Sequence, residues 1–208
     1  MRLSKSLRTS LEYATQTYQG QLDLGAVEYL RARGIEKQTA QRYRLGVVRE
    51  PLEGDSEYTG CLTIPYITTG GVVDIRYRQM DPDRSPKYLS RHGAKGRLYS
   101  VVSLLAETSS IAICEGEFDT MTLNQAGIPA VGVPGANSWQ AHWSLLFDDF
   151  EKIIVCCDGD QAGKDFGSRM VERFDMQQVK LVNFPAGADV NSFMLEHGTV
   201  VLREKVGE

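Results

Sequence analysis

The second half of the chain alternates. Four short runs, SIAICEG (110–116), IPAVGVPG (128–135), KIIVCCDGD (152–160) and QVKLVNF (178–184), are dominated by apolar residues. Each leads into a stretch with helical spacing: EFDTMTLNQAG, NSWQAHWSLLFDDF, QAGKDFGSRMVERF and DVNSFMLEHG. Strands without an exposed polar face, each followed by a helix, predict a parallel sheet covered on both sides.

Local signals refine this. Phe118, Met121, Thr122 and Gln125 recur at helical spacing, and Gly127 is placed to stop that helix. The next helix is expected to put Trp139, Trp143 and Leu146 on one face, with Asn137 or Ser138 as its cap. Asp165 and Arg169 are spaced for an i,i+4 pair. The last helix is expected to be short and to end at Gly198.

The first half reads differently. AVEYLRARGIEKQTAQRYRLG (26–46) predicts two short helices stopped by Gly34 and Gly46. CLTIPYITTGGVVDIRYRQM (61–80) predicts a hairpin turning at Thr69-Gly70-Gly71. Alternation puts Val73, Ile75 and Tyr77 on one face of its second strand and Asp74, Arg76 and Arg78 on the other. A helix near the N-terminus would carry Leu7, Leu11 and Ala14 on one side, with packing against its own chain as the default. The expected organisation is an N-terminal helical extension (1–25), a small α+β subdomain with a basic surface (26–106) and an α/β domain (107–208).

The net charge of −4 hides an asymmetry. Residues 1–106 hold 16 Lys/Arg and 11 Asp/Glu, and residues 107–208 hold 7 and 16. The segment 84–97 contains Arg84, Lys87, Arg91, Lys95 and Arg97 and no acid. One half suits a polyanion, and the other concentrates carboxylates. The four cysteines form no CxxC pair, so neither a zinc module nor a disulfide framework is expected. No apolar run is long enough for a membrane helix, and the N-terminus lacks the apolar core of a signal peptide, which suggests a cytoplasmic protein without a membrane partner.

The carboxylates fall at strand ends, where open parallel sheets collect ligands. Glu115 ends the first strand, Asp158 and Asp160 end the third, and Asp189 follows the fourth. Side chains two apart in extended chain share a side, and Gly159 between the aspartates permits a tight bend. Carboxylates this close cannot all ionise cheaply, and a divalent cation removes the conflict. Oxygen donors without His or Cys favour Mg²⁺ or Mn²⁺ over zinc. DGD alone also fits an ordinary polar turn. Asp119 either supports the cluster or only complements the helix dipole, and Lys164 either reaches a phosphate or is solvated.

ICEGEFDTMTLNQAG, VCCDGDQAGKDFG and AGADVNSF together resemble the TOPRIM domain, shared by bacterial-type DNA primases, topoisomerases and some nucleases. Glu115, Asp158 and Asp160 match the glutamate and DxD of that family. YLRARGIEKQTAQRYRLG, CLTIPYITTGGVVDIRYRQ, PKYLS and GRLYS look like the N-terminal part of the DnaG-type primase core, in the same order.

The resemblance implies a TOPRIM domain preceded by a basic subdomain, with Glu115, Asp158 and Asp160 catalytic. Metal would be held by these three with Asp119 and Asp189. Arg76, Arg78, Lys87, Tyr88, Arg91, Lys95, Arg97 and Lys164 would bind template and nucleotide, with Tyr77 and Tyr99 as further stacking candidates, although alternation assigns Tyr77 to the core. The implied reaction is RNA primer synthesis on single-stranded DNA from ribonucleoside triphosphates. A replicative helicase or a separate zinc-binding primase subunit is a candidate protein partner.

Set against that pattern, the expectation is a chain without a preceding zinc module and without the helical C-terminal part of the core. It also has Asp189-Val190-Asn191 where primases usually carry DPD. A minimal or split phage or mobile-element primase is implied. A TOPRIM nuclease and a catalytically weak TOPRIM module that binds nucleic acid or the replisome are the alternatives.

Overall fold

The computed structural model describes residues 3–135 and 138–208. The chain forms two compact units, Met1–Lys95 and Gly96–Glu208. Residues 96–106 belong with the second unit. Leu98 joins its core, and Tyr99 exchanges backbone hydrogen bonds with Gly132 at 2.8 and 3.1 Å.

The first unit is an antiparallel sheet backed by helices. α1 (Lys5–Gly20) starts at Ser4, whose hydroxyl accepts the Leu7 N–H, and buries Leu11, Ala14, Thr15 and Tyr18. Leu7 stays exposed, so the buried stripe begins one turn later than expected. α2 (Leu24–Ala32) is capped by Asp23, and α3 (Lys37–Arg42) follows. Gly34 has the positive φ expected of a helix stop, but Gly46 does not end α3. It opens β1 (Gly46–Val47), where a Cβ would lie 2.3 Å from the Tyr18 carbonyl carbon, so glycine is required by the close approach of two backbones.

β2 (Leu62–Thr68), β3 (Gly71–Arg78) and β4 (Tyr88–Ser90) complete the order β1-β2-β3-β4. The hairpin turns where predicted, with Thr68 opposite Gly71. A bulge at Tyr66/Ile67 shifts the register, so Val72 joins Ile75 and Tyr77 in the core where Val73 was expected. PKYLS supplies β4.

The second unit contains β5 (Ser110–Cys114), α4 (Glu117–Gln125), β6 (Ala130–Gly132), β7 (Lys152–Cys157), α5 (Gln161–Val171), β8 (Val179–Asn183) and α6 (Val190–Val206). The strands pair in parallel, in the order β6-β5-β7-β8. Ala112, Cys114, Ile154 and Cys156 face a core with Leu123, Val190 and Leu202. Ile111, Ile113, Ile153, Val155 and Cys157 face a second core with Phe166, Met170 and Phe147. Burial on both faces explains why residues 111–114 and 153–157 are apolar throughout, whereas the edge strand β8 buries Val182 and leaves Leu181 and Asn183 exposed, against the expectation of a sheet covered on both sides. All four cysteines are buried thiols.

Two expectations need correction. The helix expected after β6 is a 3-10 helix, Ala141–Phe147. It buries Trp143 and Phe147 and exposes Leu146, while Trp139 lies ahead of it, edge-on to Trp143 and Phe174. Ser138 does not cap it, and Asn137 lies outside the described residues. In α6, Gly198 (φ 83, ψ 167) does break the helix, but a second segment runs on to Val206 and buries Leu202 and Val206. Among the described residues, no helix is long and apolar enough to cross a membrane.

Candidate active site

β5 and β7 are adjacent and parallel, so the residues that follow them emerge side by side. Glu115 follows β5, and Asp158-Gly159-Asp160 follows β7. The DGD loop is held by backbone contacts. Gly159 donates to the Ala188 carbonyl at 2.8 Å and accepts from Gly187 at 3.1 Å. A Cβ on Gly159 would lie 1.7 Å from the Pro185 carbonyl oxygen. The glycine is therefore required by the approach of the 185–188 loop, and its φ is not left-handed.

Burial pushes Glu115 up to about 7, with the Asp160 charge adding to the rise, while the Arg169 guanidinium pulls it down. Asp119 is also pushed up to about 7, by burial first and then by the charges of Asp189 and Asp158. Asp160 and then Asp119 bear on Glu115, and Asp189 and Asp158 bear on Asp119, so Asp119 links the carboxylates into one coupled set. Arg169 is a charge acting on Glu115 that the sequence did not reveal. Its spacing suggested Asp165, which instead accepts from Gln161 Nε2 at 2.8 Å.

Several of these groups also have structural work. Asp160 caps α5, accepting the Gly163 N–H at 2.8 Å. Asp189 caps α6 in a reciprocal box with Ser192. The Asn191 side-chain amide donates to Thr122 Oγ1 at 2.9 Å. Asp119 lies 7% exposed at the start of α4, where Gly116 leaves room for it: a Cβ there would sit 2.8 Å from Asp119 Oδ2.

Among the described residues, no three His, Cys, Asp or Glu side chains converge as ligands of one ion. The donor set nonetheless suits a hard divalent cation. It is all oxygen, its members raise one another's proton affinity, and Glu115 Oε1 is buried without a hydrogen bond.

The basic candidates divide. In the first unit, Arg78 is 3% exposed and donates through Nε to the Tyr29 hydroxyl at 2.5 Å and through a terminal nitrogen to the Tyr88 hydroxyl. A guanidinium committed in this way is a poor candidate for the template contact that the resemblance implied for it. Arg76 lies 4.4 Å from the Tyr88 ring centroid, a cation–π pair on the same sheet face. Lys87 and Lys95 are exposed, and Arg91 is half-buried. Tyr77 is fully buried, as its alternation implied. In the second unit, Lys164 is exposed, Arg97 is half-buried, and Tyr99 is 1% exposed, which removes it as a stacking platform.

A parallel sheet with a glutamate after one strand, a DxD after its neighbour and an acidic helix cap beyond defines a TOPRIM-type domain, and the Toprim-like family matches residues 112–194. The Gene 57 protein of Mycobacterium phage D29 is 38% identical over 154 residues, covering 72% of this chain and 99% of the phage protein. The chain carries a TOPRIM domain and belongs to one family with this phage protein.

It also resembles the DnaG primase core. The Haemophilus influenzae DNA primase is 25% identical over 234 aligned positions, covering 91% of this chain and 40% of the primase. The Escherichia coli K12 DNA primase is 32% identical over 143 positions, covering 62% of this chain and 24% of the primase. This chain therefore spans less than half the length of these primases. A DnaG catalytic core superposes with a TM-score of 0.80 at 24% identity, covering 97% of this chain and 79% of that one. A DnaG primase catalytic domain bound to single-stranded DNA gives 0.79 at 24%, covering 98% and 81%.

Proposed function

We propose that this chain is a primase-type nucleotidyltransferase that makes short RNA primers on single-stranded DNA in a bacterial cytoplasm. The observation that carries the reading is the pairing of Glu115 with Asp158-Gly159-Asp160 at the ends of adjacent parallel strands, with one Glu115 oxygen buried and unbonded.

Glu115, Asp158 and Asp160, with Asp119 and Asp189 beside them, would hold Mg²⁺ or Mn²⁺. When bound, the metal would supply charge neutralisation at the α-phosphate and a lower barrier to deprotonation of the attacking 3′-hydroxyl. The side chains need form no covalent bond. Arg169 favours the ionised, binding-competent form of Glu115. The backbone bonds of Gly159 fix the DGD loop before substrate arrives. Arg76, Tyr88, Lys87, Arg91 and Lys95, with Arg97 and Lys164, would meet template and triphosphate, and such contacts make binding strongly salt-dependent. A replicative helicase or a zinc-binding primase subunit would be the protein partner.

A binding module without chemistry is the second reading, favoured by the commitment of the Asn191 amide to Thr122 where primases usually have an aspartate. The deciding experiment is primer synthesis on single-stranded DNA with four ribonucleotides and Mg²⁺ or Mn²⁺, with Asp158→Ala as control. Short RNA products that disappear in the variant support the primase. Cleavage of DNA without nucleotides would mark a nuclease. Absence of products, even with a zinc-module subunit added, would favour the binding module.

A further inference from the structure

The first unit contains a buried polar network on the core side of β3 that the carboxylate chemistry does not use. The Tyr18 hydroxyl of α1 donates to Asp55 Oδ2 at 2.6 Å and accepts the Leu52 N–H at 3.1 Å. Asp55 is 7% exposed, and its carbonyl accepts the Tyr58 N–H at 3.0 Å. The Tyr58 ring stacks on Tyr77, with centroids 3.7 Å apart and planes 3° from parallel. The Tyr58 hydroxyl then donates to the Ser90 carbonyl at 3.3 Å.

Ser90 is the last residue of β4, a three-residue strand at the sheet edge that, among the described residues, is laddered only to β3. So short an edge strand holds little by itself, and one further bond at its end matters. Beyond Ser90 the chain leaves the sheet carrying Arg91 and Lys95. A hydrophobic core has no need of phenol groups, and burying one is favourable only where its hydroxyl finds a partner. A phenol is protonated and a donor at neutral pH; burial, and then the neighbouring Glu57 carboxylate, push Tyr58 up further, to about 12, and the Arg91 charge is felt by Tyr18, Tyr58 and Tyr77 alike.

We propose that Tyr58, set in place by the Tyr18–Asp55 pair, is a positioning residue that pins the end of β4 and so presents the basic segment 91–95 to single-stranded nucleic acid. The purpose of the pin rests on the template-binding reading above.

The test uses the full chain with Tyr58→Phe, which keeps the ring stack and removes the hydroxyl, and Tyr18→Phe as a second variant. Two quantities are followed: trypsin cleavage after Arg91 and Lys95, and binding of a fluorescent oligothymidine across a salt series. Loss of one hydrogen bond is expected to speed cleavage about fivefold at an almost unchanged melting temperature. Binding should weaken by a similar factor, with a shallower salt dependence. That dependence counts cations at phosphates, so removing a neutral hydroxyl alters it only if the cations themselves move. A merely structural role would lower the melting temperature and leave the salt dependence alone.

Cleavage rates and salt dependence unchanged in Tyr58→Phe would overturn the proposal. Wild-type protein that fails to bind the oligonucleotide would overturn the template reading and the purpose given to the pin. Cleavage accelerated in that same case would support the pin itself.

Discussion

The backbone N–H of Asn191 donates to Asp119 Oδ1 at 3.0 Å, joining the start of α6 to the first turn of α4 across 72 positions of sequence. Together with the bond from Asn191 Nδ2 to Thr122, it makes one buried residue the tie between two helices. Asn191→Asp would exchange an amide donor for a third carboxylate beside Asp119 and Asp189. It should cost about 1–3 kcal/mol in metal-free protein, the usual penalty for a buried polar group that loses its partner. Denaturant unfolding with and without Mg²⁺ checks this, and the variant should gain more from the metal than the wild type does.

Glu115 and Asp119 both hold their protons more tightly in the folded protein than in the unfolded chain, each up to about 7. A carboxyl raised in this direction contributes stability in acid and loses it as pH rises from its unfolded value near 4 toward 7. The melting temperature of metal-free wild type minus that of Glu115→Gln/Asp119→Asn should therefore fall across pH 4–7 and level off above. Mg²⁺, which needs the ionised forms, should stabilise the wild type more at pH 8 than at pH 5.5.

Asp160 has two tasks that substitution can separate. Asn caps a helix about as well as Asp does, whereas Ala forfeits roughly 1 kcal/mol. Asp160→Asn should retain stability and lose primer synthesis, and Asp160→Ala should lose both. Thermal unfolding beside a primer assay distinguishes them.

Gly159→Ala would drive a methyl into the Pro185 carbonyl. Overpacking of this kind costs about 1–3 kcal/mol. The 185–188 loop should give way first, which faster amide exchange at Gly187 and Ala188 would report.

Arg78 and Lys87 should behave as opposites. Arg78→Met leaves the half-buried hydroxyls of Tyr29 and Tyr88 without their cation and should cost about 1.5–3 kcal/mol, the range for hydrogen bonds to charged groups. Lys87→Ala should leave stability nearly unchanged while lowering the salt dependence of single-strand binding by about one phosphate contact.

β5 and β7 were legible because burial on both faces writes an apolar run that ends abruptly, and Glu115 and DGD stand where those runs stop. The register of β3 was not, since the bulge that brings in Val72 depends on pairing with Tyr66 and Ile67. Nor was the fate of Arg78. Alternation sends it to the polar face, and only the approach of Tyr29 from α2 buries it. Gly46 and Gly159 were recognisable as special, yet for the wrong reason: each accommodates a neighbouring backbone distant in sequence. Arg169 left no local signal, because its effect on Glu115 exists only once α5 packs on β7, the neighbour of β5.

The cap of α5 offers a spectroscopic handle. The Gly163 amide proton rests on a carboxylate that also belongs to the acidic edge. Whatever draws electron density from Asp160 will shift that one resonance and alter its exchange rate. A single ¹⁵N-labelled glycine thus becomes an occupancy gauge for the site, readable in the absence of nucleotide, template or turnover.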